Sequence, residues 1–293
     1  DSKITFTSNE SSPSAGDWAY LKFYDEATDA SFSGSSYTSG SILEYCIVEY
    51  GTGLSIEKSS PFINYSEFRF NSGYGIHTYN PNTTTLLWVT NCDIHDNSGG
   101  ITAYNPYNTD YTVFSYNTVY NNTPNGGIDA SYGCTFSYNT IKNNTSSDNN
   151  NNAGGITVGG DNNIHHNIIS GNTSGGMRVS SQSSDVYDNI IFNNTGSYAL
   201  RVYDSNPSSF TRNIIIGGVT YFDRCEPSQS YTNNIFAGGL EGSIEFKNNA
   251  DFSKNTILNG SGSSLSIYGD NYDLNQTVYF SKNLFSGNSS GSY

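Results

Sequence analysis

The chain has 293 residues, of which 34% are hydrophobic and 13% are charged, and its formal net charge is −14. With 12 Lys and Arg against 26 Asp and Glu, no basic stripe can form, which excludes nucleic acid as a partner because that binding requires cations that displace phosphate counterions. No apolar run approaches the ~20 residues of a transmembrane helix, and 24 Tyr with 16 Phe exclude a disordered chain. The chain begins at Asp1, as a processed secreted chain or an excised segment would, so we expect an extracellular or cell-surface location.

Residues 1–41 are predicted to form a lead-in coil, and residues 42–293 carry a repeat within the same single domain. The repeat is a nine-residue block: an apolar residue, two variable residues, a central residue that is usually Asn, one variable residue, a second apolar residue, two variable residues, and then Asn or Gly. Eleven copies keep both apolar positions at spacings of 20 to 28 residues, a period typical of solenoids. We therefore predict an all-β fold, a single-stranded right-handed parallel β-helix of about 11–12 coils with no clear capping helix.

The central position of the block predicts an internal asparagine ladder. Its first three residues are Cys46, Ser66 and Cys92. Stacked amides donate hydrogen bonds from one coil to the next, which satisfies polar groups that would otherwise be buried without partners. We interpret the ladder as architecture and not as a ligand track. It comprises Asn117, Asn139, Asn167, Asn189, Asn213, Asn234, Asn255 and Asn283.

Most copies carry a second strand about ten residues further on, which begins with Gly and an apolar residue. Apolar and variable residues then alternate, as in a strand with one buried face. The Gly pairs at 99–100, 126–127, 154–155 and 175–176 are predicted to supply positive φ at tight corners. The variable lengths of the coils predict insertions at one corner, with the longest at 144–155.

The four cysteines are predicted to remain unpaired. Cys46 and Cys92 lie two coils apart in the inward column, so their Cα atoms should be about 9–10 Å apart, beyond the ~7 Å limit of a disulfide. Cys134 and Cys225 lie in other coils. The alternative is a disulfide-stapled secreted scaffold.

Candidate functional residues lie in the outward columns, because solenoids bind ligands on their faces. One residue after the first apolar position of the second strand, the column includes Asp129, Arg178, Arg201 and Glu245. We expect Arg178 and Arg201 to be adjacent, with Asp129 two coils from Arg178. Such a trio can hold a uronate sugar or, with Arg as the base, abstract a proton. The alternative is a solvated face with ordinary charge alternation.

Neither a metal site nor a cofactor is predicted. The four histidines have no metal-ligand spacing, and calcium is left open without a residue set that indicates it. Eleven N-x-S/T sequons make glycosylation a further open question.

The blocks FSYNTVYNN (114–122), FSYNTIKNN (136–144) and FSKNTILNG (252–260) resemble the right-handed parallel β-helix repeat of the pectate-lyase-like superfamily. The opening, from KITFTSN through GDWAYLKF to GSILEYCIVEYG, is similar to the lead-in coil of repetitive bacterial and archaeal cell-surface proteins. The resemblance implies the fold. It leaves activity open, because the superfamily includes lyases, glycoside hydrolases, adhesins and surface-layer components.

Three functional interpretations remain. The preferred one is a non-catalytic extracellular structural or adhesive protein whose copies associate end to end through open coil ends into a fibre, sheath or surface layer. The second is a lyase or glycoside hydrolase acting on acidic polysaccharide with Asp129, Arg178 and Arg201. The third is a carbohydrate-binding module without catalysis, since exposed Tyr stacks on sugars.

Overall fold

Three long parallel sheets, joined coil by coil, make up the computed structural model. It describes residues 3–79, 87–104, 112–148, 153–180, 184–203, 209–225, 230–238, 240–246, 251–258, 265–269 and 279–287. The sheets contain 12, 11 and 11 strands, which confirms a parallel β-helix of 11–12 coils. No helix occurs among the described residues.

The three sheets are numbered 1 to 3. Along the chain, each coil of the repeat contributes a strand to sheet 3, then to sheet 1 and then to sheet 2. The strands of sheet 1 are Ile4–Phe6, Cys46–Glu49, Glu67–Arg69, Asp93–His95, Thr118–Tyr120, Thr140–Lys142, Ile168–Ser170, Ile190–Phe192, Ile214–Ile216, Ile235–Ala237, Thr256–Leu258 and Leu284–Ser286. The strands of sheet 2 are Tyr20–Phe23, Gly53–Glu57, Tyr74–Tyr79, Gly99–Tyr104, Ile128–Ser131, Ile156–Gly159, Met177–Ser180, Leu200–Tyr203, Thr220–Cys225, Leu240–Phe246 and Leu265–Gly269. The strands of sheet 3 are Ile42–Glu44, Phe62–Asn64, Trp88–Thr90, Thr112–Ser115, Cys134–Ser137, Asn163–His165, Asp185–Tyr187, Ser209–Thr211, Ser230–Thr232, Asp251–Ser253 and Tyr279–Ser281.

The lead-in segment forms a coil of its own. Ile4–Phe6 pairs with Cys46–Val48 in sheet 1, and Tyr20–Phe23 pairs with Gly53–Ile56 in sheet 2. Between Tyr20–Phe23 and Ile42–Glu44, Ser31–Ser33 and Ser36–Ser39 form an antiparallel hairpin, and its Phe32 ring packs on Phe62 and Trp88 of sheet 3. The first and last strands of sheet 1 therefore come from opposite ends of the chain.

The nine-residue block folds into two strands, and the residue between them that precedes the central position has positive φ. At Tyr116, for example, φ is 57°. The Tyr116 amide donates to the Ser137 carbonyl of the next coil at 3.1 Å, and the Tyr116 ring stacks on Tyr138 at 4.9 Å. These contacts offset the strain that a non-glycine residue incurs in this conformation. The residues at this corner are Tyr45, Tyr65, Asn91, Tyr116, Tyr138, His166, Asp188, Arg212, Asn233, Lys254 and Lys282.

The apolar positions of the block form the core. The residue three before each central position and the residue two after it are buried in every coil but the last, where Phe280 is 47% exposed. Phe114 and Phe136 stack at 5.1 Å in the file from sheet 3. Equivalent apolar side chains therefore form files along the axis, as the repeat predicts.

The asparagine ladder is confirmed from Asn117 to Asn283. Asn139 Nδ2 donates to the Oδ1 atom of Asn167 at 3.0 Å and to the carbonyl of Phe114 at 2.9 Å. The Asn139 backbone N–H also donates to that Oδ1 atom, at 3.0 Å. Each amide oxygen accepts two bonds and each amide nitrogen donates two. The buried polar groups of this corner therefore have hydrogen-bond partners without water.

A second ladder lies at the corner between sheets 1 and 2. It occupies the last position of the block, where the sequence shows Asn or Gly without indicating a role. Asn144 Nδ2 donates to Asn172 Oδ1 at 3.1 Å and to the carbonyl of Val119 at 3.0 Å. The members of this ladder are Asn71, Asn97, Asn122, Asn144, Asn172 and Asn194.

The expected role of the Gly pairs is only partly correct. Of their members, only Gly126 and Gly175 have positive φ. The second glycine of each pair serves close stacking instead, because a Cβ atom on Gly155 would overlap the carbonyl oxygen of Gly176 in the next coil. Gly100 and Gly127 are similarly confined by backbone above them. At these second positions glycine avoids a steric overlap with the next coil, and not an unfavourable φ.

The prediction that insertions occur at one corner is wrong. Sheets 3 and 1 are joined by two residues, as Tyr116 and Asn117 join Thr112–Ser115 to Thr118–Tyr120, except that Tyr45 alone joins Ile42–Glu44 to Cys46–Glu49. The connections from sheet 1 to sheet 2 and from sheet 2 to sheet 3 both vary in length. Both variable connections border sheet 2, so the lengths of the coils change on the two sides of that sheet.

Three of the four cysteines are described as buried free thiols: Cys46, Cys92 and Cys134. Their state agrees with the prediction, and the Cys225 side chain lies outside the described part. Burial raises the pKa of Cys92 and of Cys134 to about 12. Cys92 Sγ also donates to the carbonyl of Thr90 at 3.1 Å.

We expect native protein to react with an aromatic disulfide reagent at pH 8 far more slowly than unfolded protein. Only about one thiol in ten thousand is ionised four pH units below its pKa, and reagent access requires opening of the coil. Under denaturing, non-reducing conditions at least three thiols should titrate, and Cys92→Ala should remove one. Fewer than two free thiols would establish the stapled alternative.

Candidate functional site

The outer face of sheet 2 holds the residues that the sequence indicates. Asp129 pairs with Thr157, Thr157 with Arg178, and Arg178 with Arg201 on successive strands. Arg178 and Arg201 are therefore adjacent, and Asp129 is two strands from Arg178. Their neighbours along the strand are buried, as at Ile128, so these side chains point outward.

Beyond Arg201 the column differs from the prediction. Arg201 pairs with Tyr221, and the register then shifts within Thr220–Cys225. Glu245, expected to follow Arg201, pairs with Tyr268 instead. The sequence-based alignment failed here because the position that pairs with Leu200 is the polar Thr220 and not an apolar residue.

The two guanidinium groups lie among tyrosine rings. The Arg201 Cζ atom is 4.8 Å from the ring centre of Tyr203, and the Arg178 Cζ atom is 5.7 Å from the same ring. Tyr198 and Tyr221, which stack on each other at 4.9 Å, lie 5.6 and 5.9 Å from the Arg201 Cζ atom. These rings hold the two cations by cation–π contacts.

Burial lowers the pKa of Arg178, and the neighbouring charge of Arg201 lowers it further, whereas Asp148 and Asp129 act in the opposite direction. The Arg178 Nε atom is buried and has no hydrogen-bond partner within the described residues. The two guanidinium groups are like charges that lie side by side and are partly removed from water. An anion bound between them would stabilise both charges.

Asp129 forms the other end of the site. The Tyr104 hydroxyl donates to Asp129 Oδ2 at 3.1 Å. Burial raises the pKa of Asp129, and the Tyr104 hydrogen bond and the charge of Arg178 partly oppose this. Burial, with smaller contributions from Tyr104 and Asp129, raises the pKa of Tyr74 to about 12. This end of the site therefore presents the Asp129 carboxyl group, hydrogen-bonded to the phenol of Tyr104, and the phenol of Tyr74.

Sequence reasoning missed the tyrosines of this face. Tyr104 and Tyr203 each lie two residues after a member of the column, at Thr102 and Arg201. Side chains two apart on a strand share a face, so the period of two was the available signal.

The outer face of sheet 1 has a different character. Glu49, Arg69 and His95 pair on successive strands. Ion pairs form here: Arg69 Nε lies 2.7 Å from Glu49 Oε2, and Arg69 Nη1 lies 2.7 Å from Glu67 Oε1. His95 Nε2 lies 3.2 Å from Glu67 Oε1. These carboxylates are neutralised by their neighbours, and further along the column Ile216 is exposed.

Within the described ranges, no group of three or more His, Cys, Asp and Glu side chains could hold a metal ion. The described part of the chain also contains no helix that is both long and apolar enough to cross a membrane.

Comparisons with known proteins concern the fold. Two solved structures are similar to this chain. One is the A-module of a mannuronan C-5 epimerase from Azotobacter vinelandii, which is 15% identical, with a TM-score of 0.33, covering 95% of this chain and 91% of that chain. The catalytic domain of an α-1,3-glucanase in complex with nigerose is 12% identical, with a TM-score of 0.25, covering 99% of this chain and 69% of that chain. No curated protein matches the chain.

A family model described as the right-handed β-helix region matches residues 30–191 and again residues 80–235. Each match spans more than half of the chain, and most of the paired strands lie within the matched residues. The chain belongs to the right-handed β-helix family.

Proposed function

We propose that the outer face of sheet 2 binds an acidic polysaccharide, with the sugar chain along the axis of the coils. The observation that supports this best is the in-register pair of Arg178 and Arg201, half-buried among tyrosine rings.

A sugar carboxylate matches this pair in charge and in shape. Arg offers parallel N–H donors that engage both oxygens of a carboxylate, and such charge-assisted bonds are stronger than neutral ones. The buried Nε atom of Arg178 would gain an acceptor. An anion would also relieve the repulsion between the two guanidinium groups.

Aromatic rings extend the face beyond Asp129. Tyr104 is 41% exposed. Tyr79, which pairs with Tyr104 on the neighbouring strand, is 50% exposed. Rings of this kind pack on the apolar faces of pyranose sugars while their hydroxyls bond to water or ligand. The connections of variable length border this same sheet, and connections commonly carry binding residues.

The net charge of −14 opposes a polyanion at long range. Short-range contacts at the arginine pair therefore have to hold the ligand. Because added salt screens the long-range repulsion more than these half-buried contacts, we expect the affinity to rise modestly between low and physiological salt.

The test compares Arg178→Gln and Arg201→Gln with Arg212→Gln by affinity electrophoresis and calorimetry on acidic polysaccharides. Loss of one charge-assisted bond of about 1.5–3 kcal/mol should weaken binding roughly tenfold to a hundredfold. Arg212 is a matched control because it lies away from sheet 2, at the corner between sheets 3 and 1, where its guanidinium pairs with Asp188 at 2.7 Å. Equal affinities for the three variants would refute the proposal.

The same mixtures, supplemented with calcium, can be followed by ultraviolet absorbance of unsaturated products. Product formation that Arg178→Gln abolishes would add a catalytic role to binding. End-to-end association of copies and an extracellular location stay predictions. Electron microscopy that shows only separate monomers at high concentration would argue against the former.

A further inference from the structure

The outer column of sheet 2 carries opposite charges at a fixed separation. Arg178 and Arg201 are neighbours, and Thr157 lies between Arg178 and Asp129. With about 4.8 Å between neighbouring strands, Asp129 and Arg178 are held about 10 Å apart at the backbone. The separation is set by strand pairing and not by side-chain flexibility.

The surroundings of Asp129 disfavour a second anion. Its hydrogen bond comes from a neutral phenol, that of Tyr104, and the Tyr74 phenol is close enough for the two to affect each other's ionisation. Arg178, two strands away, is the cation that acts on Asp129. A sugar carboxylate placed over Asp129 would therefore meet a carboxyl group and hydroxyls, without a guanidinium of its own.

A neutral sugar suits the same position. Its hydroxyls can donate to the carboxylate of Asp129 and accept from the phenols of Tyr74 and Tyr104. A pyranose ring in an extended chain is comparable in length with the separation of neighbouring strands. Sugars along the axis would therefore lie over successive strands, one over the arginine pair and another over Asp129.

We infer that the ligand is a heteropolysaccharide in which acidic sugars are separated by neutral ones, and that Asp129 is the residue that excludes polymers made of uronates alone. This inference rests on the proposed binding of acidic polysaccharide to sheet 2. The arginine pair selects a carboxylate at one position, and Asp129 rejects one two strands away.

The test measures binding of gellan, whose glucuronates are separated by neutral sugars, and of polygalacturonate, a uronate homopolymer. Wild-type protein should bind gellan at least about tenfold more tightly. Asp129→Asn keeps the shape and hydrogen bonding of the side chain and removes its charge. It should strengthen polygalacturonate binding about tenfold, the effect of roughly 1.4 kcal/mol, and weaken gellan binding modestly, because the neutral sugar over this residue loses a charged acceptor.

Asp93→Asn is the matched control, because Asp93 is exposed on sheet 1 and its loss changes the net charge equally. If Asp129→Asn and Asp93→Asn have the same effect on both polymers while Arg178→Gln still weakens binding, the inference fails and the proposed function stands. If neither polymer binds, or Arg178→Gln changes nothing, the proposed function fails. Equal melting temperatures of the variants would show that each is folded.

Discussion

Replacing Asn234 with alanine is expected to lower the free energy of unfolding by about 4 kcal/mol. Asn234 Oδ1 accepts from the backbone N–H of Asn213 at 2.9 Å and from its Nδ2 atom at 3.2 Å, and Asn234 Nδ2 donates to the Phe210 carbonyl at 2.9 Å. Alanine leaves these three groups without partners, and each buried unsatisfied group costs about 1–3 kcal/mol. Because Asn234 is fully buried, water cannot replace the lost bonds.

Asn233 provides the control in the preceding position. It lies exposed at the corner with a φ of 59°, and its backbone N–H donates to the Ser253 carbonyl at 3.2 Å. Glycine keeps that bond and tolerates the conformation, so Asn233→Gly should cost less than about 1 kcal/mol. Urea denaturation followed by circular dichroism measures both variants. A similar loss for the two would mean that asparagine content, and not the ladder, stabilises the coil.

The ladder and the outward column of sheet 1 were predictable because the chain between sheets 3 and 1 has constant length. One residue with positive φ, such as Tyr138, always precedes the central residue at this corner, so the nine-residue block keeps its spacing in every coil. Residues at equal positions in the block must then stack. A periodic pattern is sufficient evidence under that condition.

Sheet 2 was harder to align for the opposite reason. Connections of variable length precede and follow it, so each strand has to be recognised by its own first apolar residue. Thr220–Cys225 has the polar Thr220 at that position and contains a register shift, so its Tyr221 was missed and Glu245 was misplaced. Asp129, Arg178 and Arg201 were placed correctly because each follows an apolar residue at that position.

The corner residues could not be deduced from local preference. Positive φ favours Gly and Asn, yet Tyr45, Tyr65 and His166 adopt it here. The stabilising contacts are between coils: the rings of Tyr45 and Tyr65 stack at 5.2 Å, and His166 stacks on Tyr138 at 4.7 Å. Such contacts join residues about one coil apart in sequence, and a residue-by-residue reading does not see them.

Replacing Gly155 with alanine is expected to lower the free energy of unfolding by about 3 kcal/mol. A Cβ atom there would overlap the Gly176 carbonyl oxygen, which accepts from the Ile156 N–H at 2.9 Å, so relief requires moving two coils apart. Gly159, at the end of the same strand, is the control, because its Cβ atom would meet only Ser180 at an ordinary 3.7 Å. Neither glycine has positive φ, so the pair isolates steric overlap from backbone strain. Denaturation midpoints should fall for Gly155→Ala alone. An equal shift in both variants would show that coil spacing adapts to a methyl group and does not depend on the glycine file.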